Sequence, residues 1–297
     1  MTLNELVLTA RKRLTDADIG LDQAAMDASL LAREVLGWDL AKFLAHQTDT
    51  APAGFADRFD TLVARRAARE PISEIIGRRE FWGLDFEVGR DVLTPRPETE
   101  FIVEEAIACL AEGPAGHTSG AATAVRAGEG VTIVDVGTGC GCLAVCLARE
   151  FPAARIVATD ISAAALAVAV RNARRHGVAD RIQFHQASLL DGVDGPVSLI
   201  VSNPPYVPGR FIGGLPPEVR DHEPHVALDG GSDGLQLIAA IVDTAPPRLM
   251  PRGWLVMEFG YGQDDDVRRI VGPSQLELVR IRDDLQGIPR TAVCRRL

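Results

Sequence analysis

Apolar residues in the first 77 positions recur three or four residues apart, the spacing of one helix face. The first such stripe consists of Leu3, Leu6, Val7, Ala10 and Leu14. A capping box of Thr2 and Glu5 is expected to begin this helix, and Gly37 to end a second one. Further stripes around Phe43 and Phe59 complete the pattern of a small helical bundle over residues 1–77.

The fourth predicted helix also carries Arg58, Arg65, Arg66 and Arg69, which lie largely off its apolar stripe. We interpret these arginines as a solvent-facing surface. Recognition of a partner is the alternative interpretation. Neither interpretation places a catalytic cluster in this part of the chain.

Residues 78–96 have a different pattern, in which aromatic and aliphatic residues are interrupted by Gly83 and Gly89. This pattern predicts a β-hairpin connector. The next residues include Pro95, Pro97 and several glutamates, which favour the start of a helix. After that helix, the Gly/Ala-rich residues 111–130 predict a flexible surface loop.

From Val131 onward the pattern alternates between strands and helices. Strands are predicted at 131–135, 155–160, 181–186, 197–202, 253–258, near 275–282 and at 290–296. Helices are expected between the first five strands, among them 162–176 and 234–248. This alternation is typical of an α/β domain with a mostly parallel sheet and helices on both faces. The expected organisation is therefore a helical domain at 1–77, a connector at 78–96 and an α/β domain at 97–297.

The charge of the chain narrows the classes of partner. The formal net charge is −10 and the pI is near 5.1. Proteins with a broad nucleic-acid surface are usually basic, so we expect a protein or small-molecule partner, although a local basic groove stays open. The N-terminus lacks a signal-peptide pattern, and no apolar run reaches the ~18 residues of a membrane span. We therefore expect a cytoplasmic protein.

Five cysteines are present, and three of them crowd one glycine-rich segment at Cys140, Cys142 and Cys146. Their C-x-C-x3-C spacing matches no zinc pattern. We interpret all five as reduced thiols and expect no metal site.

A glycine-rich turn follows the predicted strand 131–135. It contains Gly137, Thr138, Gly139, Cys140 and Gly141. Glycines at such a turn allow positive φ and let backbone N–H groups approach a ligand closely. The third glycine comes one position too early for the dinucleotide fingerprint. Taken alone, the motif fits either a nucleotide-like ligand or an ordinary tight turn.

Asp160 ends the next predicted strand, where a carboxylate can accept hydrogen bonds from both hydroxyls of a ribose. A cap for the helix that begins near Ser162 is the other interpretation of this residue. Because Asp160 follows the glycine-rich turn by one strand–helix–strand unit, we favour ribose binding.

The strand at 197–202 ends at Asn203-Pro204-Pro205-Tyr206. Proline cannot donate to a sheet ladder, so the two prolines end the strand. Asn203 is then held at the carboxyl end of the sheet, where open α/β sheets bind ligands. Its amide, with Tyr206 nearby, can grip a planar group that carries an NH2. A plain proline-capped loop is the alternative.

The glycine-rich turn, Asp160 and Asn-Pro-Pro-Tyr, in this order, resemble S-adenosylmethionine-dependent methyltransferases. Longer segments resemble the release factor glutamine methyltransferase (PrmC/HemK) family more specifically. They are residues 81–86, 92–100, 222–228, 257–260 and 282–290. The resemblance covers essentially the whole chain. It implies a class I, Rossmann-like fold with a seven-stranded sheet, and a helical domain at 1–77 that recognises the substrate.

The resemblance also implies an activity. The chain would methylate the side-chain amide nitrogen of the glutamine in the Gly-Gly-Gln loop of class-1 peptide chain release factors. The methyl donor would be S-adenosyl-L-methionine, which becomes S-adenosyl-L-homocysteine. We expect a monomer that needs no metal and has no stable contact with nucleic acid or membrane.

The resemblance also assigns roles to residues. Asn203 and the carbonyl of Pro204 would accept the N–H groups of the acceptor amide, and Pro205 and Tyr206 would flank it. The cofactor-binding residues would be Gly137, Thr138, Gly139, Cys140, Gly141, Asp160, Ser188, Leu189 and Asn203. The family commonly has an acidic residue where this chain has Ser188, and Asp191 is a candidate substitute. Glu98, Glu100 and Glu258 are assigned structural roles only, and the loop at 208–217 is expected to shape substrate entry.

Three other functions stay open. The first is methylation of a glutamine in another translation protein. The second is methylation of the exocyclic amino group of adenine in nucleic acid, which is also a conjugated NH2. The third is a methyltransferase-like scaffold that binds a partner but no cofactor.

Overall fold

The computed structural model describes residues 1–112 and 128–297. Most of the loop expected at 111–130 thus lies outside the described residues. The described chain divides into two units. The first comprises residues 1–78 and 216–222, and the second comprises residues 79–215 and 223–297.

The first unit is built from five helices. They are α1 (Leu3–Asp16), α2 (Leu21–Leu36), α3 (Leu40–His46), α4 (Phe55–Ala67) and α5 (Ile72–Ile76). Both hydrogen bonds of the expected capping box between Thr2 and Glu5 are present. Gly37 ends α2 in the left-handed conformation at φ 65°. The apolar stripes meet in one core around Leu3, Leu31 and Phe59, as the helical spacing predicts.

The expectation of a solvent-facing arginine surface is wrong for Arg66. Its side chain is buried and its Nε donates to Asp27 Oδ2 at 2.6 Å. Its Nη1 donates to Glu218 Oε1 at 2.9 Å, and Arg69 binds the same carboxylate. Asp27 is itself buried on α2, and a buried carboxylate needs a paired countercharge. These ion pairs hold residues 216–222 on the helical unit.

The connector forms a two-stranded hairpin of β1 (Arg78–Phe81) and β2 (Leu84–Glu87). Its two-residue turn has positive φ at both positions, 54° at Trp82 and 69° at Gly83. Such turns match the twist of antiparallel strands. The strand pairing stops at Glu87, so residues 88–96 continue as non-strand chain toward the next helix.

The remaining elements alternate between helices and strands. They are α6 (Glu100–Glu112), β3 (Thr132–Val136), α7 (Cys142–Glu150), β4 (Arg155–Asp160), α8 (Ala163–Arg175), β5 (Ile182–Gln186), β6 (Val197–Ser202), α9 (Gly209–Ile212), α10 (Pro217–Arg220), α11 (Gln236–Thr244), β7 (Leu249–Glu258), α12 (Asp264–Val271), β8 (Leu276–Asp283) and β9 (Pro289–Arg296). Within the described chain, no helix has both the length and the apolar character that a membrane crossing requires.

Seven strands form one sheet in the order β5-β4-β3-β6-β7-β9-β8. Strand β9 is antiparallel to both of its neighbours, and the pairs from β5 to β7 are parallel. The predicted α/β class and mostly parallel sheet are confirmed. Buried apolar side chains cover both faces, around Ile133 on one and Val134 on the other.

The strand order reverses between β3 and β6, which are adjacent in the sheet. Chain connections leave toward opposite sides at such a switch point and open a crevice at the carboxyl ends of the strands. Three predicted elements differ from the observed ones. The described residues 187–196 form no helix between β5 and β6, and β7 begins at Leu249 instead of residue 253. Helix α11 ends at Thr244 instead of 248, because Pro246 and Pro247 have no backbone N–H and cannot continue the helical hydrogen bonds.

Candidate active site

A cavity lies at the carboxyl ends of β3, β4 and β6. Its volume of about 180 Å³ is more than ten times the ~15 Å³ that a single water needs. Eight of the residues predicted to bind cofactor or substrate line it, namely Gly137, Gly139, Asp160, Ser188, Leu189, Asn203, Pro204 and Pro205. The fold thus brings the glycine-rich turn, the strand-end acid and the Asn-Pro-Pro segment together.

The glycine-rich turn is fixed from two sides. The backbone N–H groups of Gly137 and Thr138 both donate to the carbonyl of Thr159 on β4, each at 2.9 Å. The Thr138 hydroxyl donates to Asp135 Oδ2 at 2.6 Å. Gly137 and Gly139 adopt positive φ of 72° and 55°, which side-chain-bearing residues rarely adopt.

Thr138, Cys140 and Gly141, the other turn residues predicted to bind cofactor, are not among the residues that line the cavity. Thr138 and Cys140 are buried, and the carbonyl of Cys140 accepts a hydrogen bond from Asn172 Nδ2 at 2.8 Å. Gly141 has φ 83° and packs against Ala169 of α8. These three residues therefore hold the turn in place instead of forming the cavity wall.

Asp135 lies beneath the turn and is fully buried. Its Oδ2 accepts from Thr138 and from the backbone N–H of Ala144, whereas its Oδ1 is without a hydrogen-bond partner among the described residues. Burial raises the pKa of Asp135 to about 7. An ionised carboxylate here is therefore costly at neutral pH.

Asp160 lines the cavity and connects two backbone segments. Its Oδ2 accepts from Gly139 N at 2.9 Å, and its Oδ1 accepts from Ser162 N at 2.9 Å. The cap of α8 is Ser162, whose hydroxyl accepts from Ala165 N at 3.1 Å. Each carboxylate oxygen of Asp160 keeps a second lone pair, so hydroxyl donors from a ligand can still bind.

The opposite part of the cavity wall is more apolar. Leu189 is held at φ 50°, and its carbonyl accepts from the Thr159 hydroxyl at 2.7 Å. Ile161 and Val226, which the sequence analysis did not assign, line the cavity and are half exposed. Ile161 directly follows the strand-end Asp160, and this position in the sequence could have identified it as a cavity residue. Asp191, the candidate substitute for an acid at Ser188, does not line this cavity; it lines a second depression to which Ser188 and Leu189 also contribute.

Asn203 belongs to a hydrogen-bond chain that the sequence analysis missed. Its Nδ2 donates to Thr99 Oγ1 at 2.9 Å, and the Thr99 hydroxyl donates to Glu258 Oε2 at 2.7 Å. The Tyr206 hydroxyl donates to Glu258 Oε1 at 3.1 Å. Tyr206 therefore lies behind the Asn-Pro-Pro segment, where its carbonyl also accepts from Gln263 Nε2 at 3.0 Å. Glu258 lies at the carboxyl end of a strand adjacent to β6, and this position could have identified it as a residue near the site.

At the buried end of this hydrogen-bond chain, Glu258 and Tyr206 have shifted pKa values. Burial raises the pKa of Glu258 to about 7, although the hydrogen bonds from Thr99 and Tyr206 favour the carboxylate. Glu98 raises this pKa further and Arg290 lowers it. Burial also raises the pKa of Tyr206, so its hydroxyl stays protonated at neutral pH.

The thiols near the site are structural. All five cysteines are buried and free. Across residues 1–112 and 128–297, no cluster of three or more histidine, cysteine or acidic side chains is arranged to hold a metal ion.

The strand order, with a cavity at the switch point, is that of the class I methyltransferase fold. Solved structures agree on the fold. The hMettl16 catalytic domain, in complex with MAT2A 3′UTR hairpin 1, superposes with a TM-score of 0.52 at 14% identity, covering 90% of each chain. A methyltransferase from Pyrococcus furiosus gives a TM-score of 0.50 at 16% identity, covering 78% of this chain and 96% of its own.

Sequence comparisons narrow the class to one family. Residues 5–77 match the model of the PrmC N-terminal domain, and residues 122–212 match the methyltransferase small domain. The release factor glutamine methyltransferase of Cereibacter sphaeroides is 42% identical over 94% of both chains. That of Bradyrhizobium diazoefficiens is 39% identical over 97% of this chain and 93% of its own. The chain belongs to the release factor glutamine methyltransferase family.

Proposed function

We propose that this protein transfers a methyl group from S-adenosylmethionine to the side-chain amide nitrogen of the Gly-Gly-Gln glutamine in a class-1 release factor. The named activity of its relatives supports this substrate. The observation that carries the proposal is the orientation of Asn203. Its NH2 is engaged by Thr99, which leaves its oxygen to accept an N–H from a ligand in the cavity.

The cavity fits the cofactor. Gly137 and Gly139 offer backbone without a Cβ in the way, as a polar ligand at close approach requires. Asp160 keeps free lone pairs for ribose hydroxyls. Leu189 and Ile161 supply apolar surface for a purine ring, and the Ser188 hydroxyl can accept from its amino group.

The acceptor needs orientation because an amide nitrogen is a poor nucleophile. In our proposal Asn203 Oδ1 and the Pro204 carbonyl each accept one N–H of the glutamine. They aim its nitrogen and favour pyramidalisation. The nitrogen lone pair forms the bond to the methyl carbon, the carbon–sulfur bond breaks with its electrons on sulfur, and the nitrogen proton passes to water. A strong base is not required, because the methylated nitrogen carries a positive charge until its proton leaves and is therefore strongly acidic.

We further propose that the helical domain at 1–77 recognises the release factor. The PrmC N-terminal match over 5–77 supports a role specific to this family. The net charge of −10 disfavours stable binding to nucleic acid. Because release factors act in translation, the protein would work in the cytoplasm.

Transfer of a labelled methyl group tests the proposal. The purified protein is incubated with labelled S-adenosylmethionine and, separately, with release factor, release factor whose Gly-Gly-Gln glutamine is alanine, a ribosomal protein fraction, or duplex DNA. Label should enter only the intact release factor. Label in the alanine variant, the ribosomal fraction or DNA, or none in release factor, overturns the assigned substrate. Asn203→Ala should lose turnover while cofactor affinity, measured by calorimetry, changes much less.

A further inference from the structure

Thr99 and Glu258 sit between Asn203 and the interior of the sheet. We propose that they are positioning residues that fix the Asn203 amide with its oxygen toward the acceptor. This inference rests on the proposed function, because it concerns how the acceptor NH2 is held. Thr99 and Glu258 are both 2% exposed, so they act through Asn203 instead of touching the acceptor.

When Glu258 is ionised, counting protons fixes the orientation of the Asn203 amide. A threonine hydroxyl has one proton, and Thr99 donates it to Glu258 Oε2 at 2.7 Å. Thr99 Oγ1 can then only accept from Asn203, and the group within reach is Nδ2 at 2.9 Å. Rotating the amide by 180° would place two oxygens against each other without a proton between them. The carboxylate thus determines which end of Asn203 faces the cavity.

Glu258 is itself held in one position. Its second oxygen accepts from the Tyr206 hydroxyl, so both carboxylate oxygens are engaged. Gln263 supports this arrangement, because its Oε1 accepts from Gly260 N at 2.7 Å and its Nε2 donates to the Tyr206 carbonyl. The turn after β7 therefore anchors the hydrogen-bond chain at its buried end.

The orientation has a consequence for acceptor chemistry. An Asn203 oxygen in the cavity binds a group that donates, such as the NH2 of a primary amide. A flipped Asn203 would place its own NH2 against the NH2 of the acceptor amide. The acceptor would then lose one of the two hydrogen bonds that orient its nitrogen. Loss of the Thr99 hydroxyl should therefore lower kcat while cofactor affinity stays unchanged.

The test compares Thr99→Val, which removes the hydroxyl at similar volume, with Thr99→Ser, which keeps it. Misplacing a reacting group commonly costs about 100-fold, so Thr99→Val should lower kcat by about 10- to 100-fold and Thr99→Ser by less than about threefold. Thr291→Val is the matched control. Thr291 is buried opposite Glu258 on β9, and its hydroxyl has no partner among the described residues, so its removal should leave kcat unchanged.

Glu258→Leu provides a second variant in case Thr99→Val does not fold. Without the carboxylate, the Thr99 hydroxyl can donate to Asn203 Oδ1. The Asn203 amide can then rotate by 180°, which places its NH2 in the cavity. We expect kcat to fall as in Thr99→Val although Thr99 is intact. Wild-type turnover in a folded Glu258→Leu protein would contradict the inference.

A measurement without acceptor separates this inference from the proposed function. In ¹⁵N-labelled, cofactor-bound protein, one Asn203 side-chain N–H should be shifted downfield and protected from exchange. Both signatures should disappear in Thr99→Val and persist in Thr99→Ser and Thr291→Val. If wild type methylates no release factor but these signals behave as described, only the substrate assignment fails. If Thr99→Val keeps both the signals and wild-type kcat, the positioning role fails.

Discussion

Asp160 Oδ2 accepts a hydrogen bond from the backbone N–H of Gly139 at 2.9 Å. The acid at the end of β4 therefore holds the turn that follows β3, in addition to lining the cavity. A residue expected to meet a ribose or to cap a helix thus also sets the shape of the neighbouring part of the site. Its removal should affect cofactor binding through both roles.

Asp160→Ala should weaken binding of S-adenosylhomocysteine. Charge-assisted hydrogen bonds contribute about 1.5–3 kcal/mol, so Kd should rise roughly 10- to 100-fold in isothermal titration. Asp191→Ala is the control, because this exposed acid lies in the turn after β5 but outside the cavity wall. Equal Kd values for the two variants would contradict a binding role for Asp160.

Asp135→Asn should stabilise the cofactor-free protein more at pH 8 than at pH 5. The pKa of Asp135 is raised from 3.8 to about 7, so folding favours the protonated acid. Its contribution to stability is complete below pH 3.8 and is lost as pH rises through about 7. Since one pKa unit corresponds to about 1.4 kcal/mol, the advantage of asparagine should grow by about 3 kcal/mol between pH 5 and pH 8.

Urea unfolding from pH 5 to pH 8 measures the difference in free energy of unfolding between Asp135→Asn and wild type. Asparagine can keep both hydrogen bonds, because its Oδ1 can accept from Thr138 and Ala144 as Asp135 Oδ2 does. Asp265→Asn removes an exposed charge and serves as the control. A pH-independent difference between Asp135→Asn and wild type would show that Asp135 is not a buried acid of raised pKa.

Local patterns predicted the sheet well. The strands at 155–160 and 197–202 have the predicted limits, because each β-branched run is bounded by residues that end it. The cavity followed from topology, since parallel strands bring Gly139, Asp160 and Asn203 to one edge.

Long-range partners could not be predicted in this way. Thr99 contacts Asn203 across 104 positions, and Glu258 meets Thr99 across 159. These contacts depend on how the chain returns to the sheet at β7, which no local spacing encodes. The same holds for Arg66, whose burial depends on Asp27, 39 positions away.

Arg66→Met should destabilise the helical unit. The variant leaves the buried Asp27 without its guanidinium partner, and Glu218 keeps only Arg69. Removing one partner of a buried ion pair costs about 3–5 kcal/mol. Chemical denaturation followed by circular dichroism measures this loss, and the exposed Arg58→Met should change stability by less than about 0.5 kcal/mol. An Arg66→Met protein as stable as wild type would mean that the pair is not needed for folding.

Gly141→Ala should destabilise the protein more than Gly177→Ala. Both glycines have positive φ, 83° and 68°, where an alanine costs about 1–2 kcal/mol. They differ in their surroundings. A Cβ on Gly141 would lie 3.0 Å from Ala169 Cβ and 3.1 Å from its Cα, whereas no described atom comes within 4 Å of a Cβ on Gly177.

The additional loss in free energy of unfolding in Gly141→Ala measures how tightly the glycine-rich turn packs on α8. Overpacking typically costs about 1–3 kcal/mol, so the free energy of unfolding should fall by that much more in Gly141→Ala than in Gly177→Ala. Gly141→Ala should also weaken S-adenosylhomocysteine binding, because Ala169 and the turn must move apart and Gly139 lies two residues away. Gly177→Ala should bind normally, because it lies beyond the C-terminus of α8 and outside the cavity wall. Equal destabilisation by both variants would show that the turn tolerates a side chain and that its packing does not fix the cofactor site.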